Sequence, residues 1–284
     1  MTVRLRDEYL PAPAVTRLVV DTRRRRPSHE VFHAERNVSH CHAEDNEPLW
    51  STRCRGFLPA RDPLTTLGHP YKMLLDLVAM MPSSIADGSF RSNVDAQEGA
   101  FEEIAAAVAD ERSSDVLERV HGLFGYIGKG YVHRNHTATV SNGEASSVPS
   151  YLAKGWLAVS QQIGRLPTLD YADCVLYNWE RIDPRAPITP ENVRLLNRFT
   201  GLLDEEWFLK THVIIESEAS GVVSAITDAC EAMRHSDVNK LLARLSRLEQ
   251  AMSHVASSCL PLIFERQGDD GYMCEPDLFY HRFQ

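Results

Sequence analysis

The stretch from Phe208 to Met233, FLKTHVIIESEASGVVSAITDACEAM, decides the fold class. Phe208, His212, Ile215, Ala219, Val222, Ile226, Ala229 and Met233 recur at alternating steps of four and three, which is one face of an α-helix. After a short break at RHSD, a second stripe follows with Leu241, Leu245, Leu248, Met252, Val255 and Cys259. Two stripes joined so briefly predict an antiparallel helix pair, each member ~30 Å or more long at ~1.5 Å per residue.

Upstream of that pair the helical signal persists. PYKMLLDLVAMMP (70–82) places Leu74, Leu77, Val78 and Met81 at helical spacing, with Pro82 as a stop. Another helix is expected over 99–109, and Val116, Val120, Leu123 and Ile127 mark the next. TATVSNGEASSVPS (137–150) reads as a Gly/Ser-rich connector before SYLAKGWLAVSQQIG resumes the helix. LDYADCVLYNWERIDP (169–184) is predicted to be a helix capped by Asp170 and ended by Pro184. On it Tyr171, Cys174 and Val175 share one face. ITPENVRLLNRF (188–199) carries Thr189 and Pro190 in the positions of an N-cap and first helical residue.

With no period-2 run and no βαβ rhythm, the fold expected is all-α, a multi-helix bundle over 71–284. Residues 1–70 form a loop-rich N-terminal segment ahead of it. Within that segment RGFLPARDPL (55–64) is expected to dock as an extended apolar stretch. His40, Cys41 and His42 are adjacent, with His33 upstream, but no second ligand pair follows at zinc spacing, so a polar loop is the reading.

Composition bounds the function. The 284 residues are 43% hydrophobic and 24% charged, with a formal charge of −9, which argues against nucleic acid or an acidic membrane as partner. The run Arg23 to Arg26 lies among acidic residues and reads as solvated surface. No window approaches the ~18 consecutive apolar residues of a membrane span. The N-terminus has no apolar core of a signal peptide. Six cysteines without CxxC spacing point to reduced thiols, so a cytoplasmic protein is expected.

His212 then stands out, an imidazole in an apolar stripe. Two explanations stay open on periodicity alone: a core histidine bonded to a neighbour, or one facing a cavity between helices.

Four ordered segments spanning 55–284 resemble the indoleamine 2,3-dioxygenase family. They are RGFLPARDPL, YADCVLYNWERIDPRAPIT, EEWFLKTHVIIE and CEPDLFYHRFQ. The resemblance implies a bundle of that family's type and a heme b cofactor whose iron binds dioxygen. It also implies L-tryptophan as substrate, its indole ring opened to N-formylkynurenine at the head of kynurenine-type tryptophan catabolism. Carried over by position, Tyr171, Cys174 and Val175 become the wall beside the indole, and Phe208 a ring contact. His212 becomes the catalytic-side residue on the distal face of the heme. Phe279 and Tyr280 become the aromatic pair beside the substrate. Gln284 falls where the family has an arginine for the substrate carboxylate, a departure that raises another indole or aromatic amino acid as substrate. The family's proximal histidine has no counterpart in these residues, which leaves the iron ligand unknown. A fragment of a longer enzyme, a shortened relative with altered ligation, and a non-catalytic helical interaction protein are the three readings.

Overall fold

α5, Ser114–Val132, is the axis of the molecule, and its sequence explains why. Arg119 to Gly128 is buried all round the helix, the pattern of an element enclosed on every side. Glycines let its neighbours close in: a Cβ at Gly128 would strike the Trp156 ring, and one at Gly155 would strike Phe124. Those two gaps set the α5 crossing with α6, Ser150–Ile163. Leu123, Phe124, Ile127 and Leu152 are fully buried there, each side chain contributing ~1.5–3 kcal/mol.

The described residues of this computed structural model are 55–132, 147–264 and 274, and all fall in one compact unit, His42–Gln284. Among them the structure is mostly helical, as expected. α1 (Lys72–Ala79), α2 (Met81–Ala86), α3 (Phe90–Asp95) and α4 (Glu98–Asp110) surround α5 and α6 in one core that includes Leu74, Phe90, Phe101 and Ile104. Pro82 does not end the first helical stretch. It sits at the start of α2, where its missing N–H costs nothing. α6 ends at Gly164, whose φ of 70° is left-handed, with the Arg165 N–H bonded to the Ser160 carbonyl at 3.0 Å.

Three expected helices are corrected. Residues 169–184 form a π-helical turn, Ala172–Leu176, closed by Tyr177 N–H to the Ala172 carbonyl at 2.9 Å. Strand β1, Trp179–Arg181, follows it. Asp170 does cap the turn, and reciprocally: its carboxylate accepts from Asp173 N–H while Asp173 accepts from Asp170 N–H, both at 3.2 Å. The stretch after Pro190 is strand β2, Val193–Leu195, antiparallel to β1 with Trp179 opposite Leu195. Asn192 overrides the helix signal there. Its amide donates to the Asp183 and Pro187 carbonyls and accepts from Asp183 N–H, stapling the loop before a helix can start.

The long stripe is likewise two helices, α7 (Leu203–Glu218) and α8 (Ser220–Arg234), parted at Ala219 beside Ser220 and Gly221. α8 packs on α9, Val238–His254, whose cap Asp237 accepts from Lys240 N–H at 2.9 Å. The pair exists, but at 15 and 17 residues its members reach only ~22–26 Å, short of the length read from the stripes. The connector at 137–150 is described only from residue 147, and the His33, His40–His42 stretch lies outside the described residues.

Candidate functional site

Three segments meet around the π-helical turn. Gly56 lies at φ 61°, and a Cβ there would collide with the Glu216 carbonyl of α7, so only glycine lets the 55–59 stretch approach that helix. Leu58 then enters a second core with Val175, Trp179, Val193, Val213 and Ile214. Arg55 lies over the Trp179 ring at 5.1 Å and pairs with Asp62, which Arg181 also holds at 2.7 Å. The segment docks as expected, but through a tight turn, Leu58 N–H to the Arg55 carbonyl at 3.1 Å, and not as the extended stretch read from the sequence; it fixes the underside of the π turn.

On the outer side stand Tyr171, Phe208 and His212. The His212 ring lies 4.4 Å from Phe208 and 6.2 Å from Tyr171, the latter edge-on at 74°. His212 Nδ1 is 2.7 Å from the Phe208 carbonyl. A carbonyl only accepts, so Nδ1 carries the proton and, in the neutral ring, Nε2 keeps its lone pair. No partner for Nε2 is present among the described residues. Tyr171 donates its hydroxyl to Glu216 Oε1 at 2.8 Å. Burial first, then that bond, raises the phenol above its ordinary range, so it stays a donor. The ring remains 47% exposed, which makes this side an open wall.

Cys174 is half-buried, and burial, aided by the Asp173 charge, pushes its thiol up to about 12. It is therefore a neutral thiol and no nucleophile at neutral pH; it meets the buried Tyr126 hydroxyl and packs against the second core. Val175 is 1% exposed and belongs to that same core. The wider π turn accounts for the separation of both from Tyr171, with which an α-helix would align them.

The turn rests on a polar foundation that the sequence reading did not single out. His121 and Asp173 have fully buried side chains, with Nδ1 and Oδ1 2.9 Å apart, and His121 Nε2 donates to the Leu166 carbonyl at 3.1 Å. Arg165 reaches Asp173 at 2.8 Å and Glu118 at 2.6 Å, and also pairs with Asp170. Desolvation is the largest single influence on Arg165 and lowers it, but Asp173, Asp170 and Glu118 together raise it. Glu118 is raised, chiefly by burial. Nearby, Asn178 donates to the Tyr126 hydroxyl at 2.9 Å and to the Cys174 and Asn197 carbonyls. The available signal was His121 and Arg119 inside the apolar run of α5, where a charged or titratable residue needs a buried partner.

The structure thus brings together Tyr171, Phe208 and His212, and turns Cys174 and Val175 inward to the second core. Phe279, Tyr280 and Gln284 lie outside the described residues.

Of a heme's surroundings these residues would supply one apolar side, the Phe208 and Tyr171 rings with the His212 imidazole. No iron ligand stands out among the other described histidines. His121 is enclosed with both nitrogens engaged, His254 is exposed and 3.2 Å from Glu218, His69 is exposed near Glu103, and His235 is exposed past the end of α8. No group of three or more His, Cys, Asp or Glu among the described residues is arranged to hold a metal ion. Nor is any described helix long and apolar enough to cross a membrane.

Comparison with known proteins agrees with the resemblance. The family described as Indoleamine 2,3-dioxygenase matches residues 51–284. Indoleamine 2,3-dioxygenase 1 of Rattus norvegicus is 29% identical over 222 residues, 77% of this chain and 49% of that protein. Indoleamine 2,3-dioxygenase acdA of Aspergillus candidus is 26% identical over 232 residues, 80% of this chain and 52% of that protein. A 6-hydroxytryptophan 2,3-dioxygenase of Fusarium equiseti, fscD, is 25% identical over 228 residues, 80% and 51% of the two chains. The chain spans about half the length of the curated relatives it matches.

Proposed function

Because this chain belongs to the indoleamine 2,3-dioxygenase family, we propose that it supplies the indole-facing half of a heme-dependent dioxygenase. The substrate is L-tryptophan, opened at the indole ring to N-formylkynurenine in cytoplasmic tryptophan catabolism. The observation that carries this reading is His212 between the Tyr171 and Phe208 rings, its Nε2 without a partner among the described residues.

Bound heme would supply the dioxygen chemistry. The residues of this chain bind and orient. Phe208 and Tyr171 offer ring faces and edges for a flat indole, worth ~0.5–1.5 kcal/mol per aromatic pair beyond burial. Cys174, behind them on the turn, stays a neutral thiol and adds no charge beside the ring. His212 Nε2 accepts a hydrogen bond from the indole N–H, because its Nδ1 proton is already committed to the Phe208 carbonyl. The Tyr171–Glu216 bond keeps the phenol ring edge-on to that imidazole. No general base is required of these groups.

A related indole is the second reading, favoured by Gln284 at the position where the family resemblance expects a carboxylate-binding arginine. The relative whose name specifies 6-hydroxytryptophan shows that such substrates occur among similar proteins.

The test is an absorption spectrum of the chain supplied with heme, before and after dithionite and carbon monoxide, followed by turnover of tryptophan and of indoles lacking the carboxylate. A Soret band that moves with carbon monoxide, and that changes in His212→Leu, is the expected result. Equal Soret behaviour in the parent and His212→Leu would remove His212 from the distal face. Turnover of decarboxylated indoles matching that of tryptophan would favour the second substrate reading.

A further inference from the structure

Arg119 of α5 is 3% exposed, yet no carboxylate pairs with it among the described residues. Its Nη2 donates to Asn197 Oδ1 at 3.0 Å, and its Nε has no partner. Asn197, also 3% exposed, has an unpartnered Nδ2. Turning the Asn197 amide over would not help, since it would set an N–H against the guanidinium. Both orphans are therefore donors on two side chains already bonded to each other, and the missing component is an acceptor. A buried guanidinium without a counter-charge is costly, and native proteins seldom leave one so.

Arg119 also lines a small cleft, with Pro59, Arg61, Asp62, Asp115 and Tyr177 among its walls and room inside for about one water-sized group. The carboxylates of that cleft are already engaged. Asp62 lies between Arg55 and Arg181, and Asp115 is 3.2 Å from Arg61. Glu180 also acts on Arg119 but is itself paired with Arg194 at 2.6 Å, so Arg55, Arg61, Arg119, Arg181 and Arg194 stand against Asp62, Asp115 and Glu180, and the surroundings stay positive. Burial raises the Tyr177 phenol to about 12, so it remains a hydrogen-bond donor. Burial pulls the Arg119 guanidinium down to about 10, which still leaves it charged at neutral pH.

We infer that this cleft is an oxyanion-binding subsite, in which Arg119 and the Tyr177 hydroxyl, both on its walls, receive one oxygen of a phosphate or carboxylate group while Arg61 holds the group at the mouth. A lone oxygen fits the space inside. The remainder of the group stays outside, where Arg61 is 64% exposed. The inference does not depend on the dioxygenase reading, because none of these side chains belongs to the Tyr171–Phe208–His212 wall.

Thermal unfolding of the 284-residue chain in sodium phosphate, sodium acetate and sodium chloride at matched ionic strength tests it. Phosphate, acetate or both should raise the Tm saturably above the chloride value. A response to phosphate alone identifies a phosphoryl ligand, and a response to acetate alone a carboxylate. Arg119→Met should abolish the increment and raise the Tm in chloride, since it removes a buried charge. No increment from either oxyanion would leave an ordered water as the acceptor and overturn the proposal. So would an increment that survives in Arg119→Met. If that variant does not fold, Tyr177→Phe and Arg61→Gln should each weaken the apparent phosphate or acetate affinity about tenfold. Unchanged affinity in both would overturn the proposal equally.

Discussion

α5 and α9 are comparable helices in sequence, both amphipathic and of 19 and 17 residues, and they have opposite fates. α5 buries twelve residues, a histidine and an arginine among them, whereas α9 buries none. Leu242 stays 60% exposed, Leu245 45% and Met252 56%, although α9 packs along α8. Periodicity reports which face of a helix is apolar. It does not report whether anything covers that face, because covering depends on distant segments. The first region is therefore held by its interior, and the second by one neighbouring helix.

The largest test of that contrast is Phe124→Ala. Phe124 is fully buried and fills the gap opposite Gly155, so its loss should cost about 3–5 kcal/mol in urea or thermal unfolding. A cost below about 1 kcal/mol would remove α5 as the structural axis.

Next come two cysteines, one from each region. Cys174, with its thiol raised to about 12 by burial, should be alkylated by iodoacetamide at pH 9 at least about a hundredfold more slowly than exposed Cys230. The sign follows from linkage. A folded-state value above the unfolded one stabilises the protein fully below about 9, and that contribution is lost as pH rises toward 12. Mass spectrometry of labelled peptides across pH 8–11 reads both rates, and comparable rates would mean that the turn opens readily.

Asp173→Asn is expected to cost about 2–3 kcal/mol, because it leaves His121 and Arg165 facing a neutral amide inside the fold. Replacing His121 and Asp173 together by leucine should recover part of that loss. If it does, the pair specifies the position of the π turn more than it adds stability. Tyr171 and His212 rest on that position, so the Soret spectrum with heme should move in Asp173→Asn even where folding survives.

Much of this was legible in the sequence. The helical class, the docked 55–64 segment and the α8–α9 pair follow from period and punctuation, which are local signals. The π turn and the β1–β2 pair were not legible, since each is decided by a particular polar contact. Asn192 staples one loop, Asp170 and Asp173 cap each other, and Asn178 is drawn inward by Tyr126 and Asn197, 52 and 19 residues away. The same holds for the candidate site. The spacing of Phe208 and His212 placed them on one face, but which His212 nitrogen carries the proton depends on a backbone carbonyl that no pattern reveals. The His121–Asp173 pair spans 52 residues, beyond any periodic window.

The smallest expected effect is the sharpest test of the opening contrast. Leu245→Ala on the open face of α9 should cost only about 1 kcal/mol, since a residue already 45% exposed can lose only about half the burial of a core leucine, and alanine is a good helix former. Leu245→Glu should stay within about 0.5–1 kcal/mol for the same reason and should improve solubility, because it interrupts the patch shared with Leu242 and Met252. A loss above about 2 kcal/mol in Leu245→Glu would have only one physical source, burial of that position in solution. Concentration-dependent stability of the parent would then identify the cover as a second copy of the chain. A concentration-independent loss would place the cover within the same chain. Under either result α9 would cease to be the exposed counterpart of α5, and the difference between the two regions would become one of partner rather than of packing.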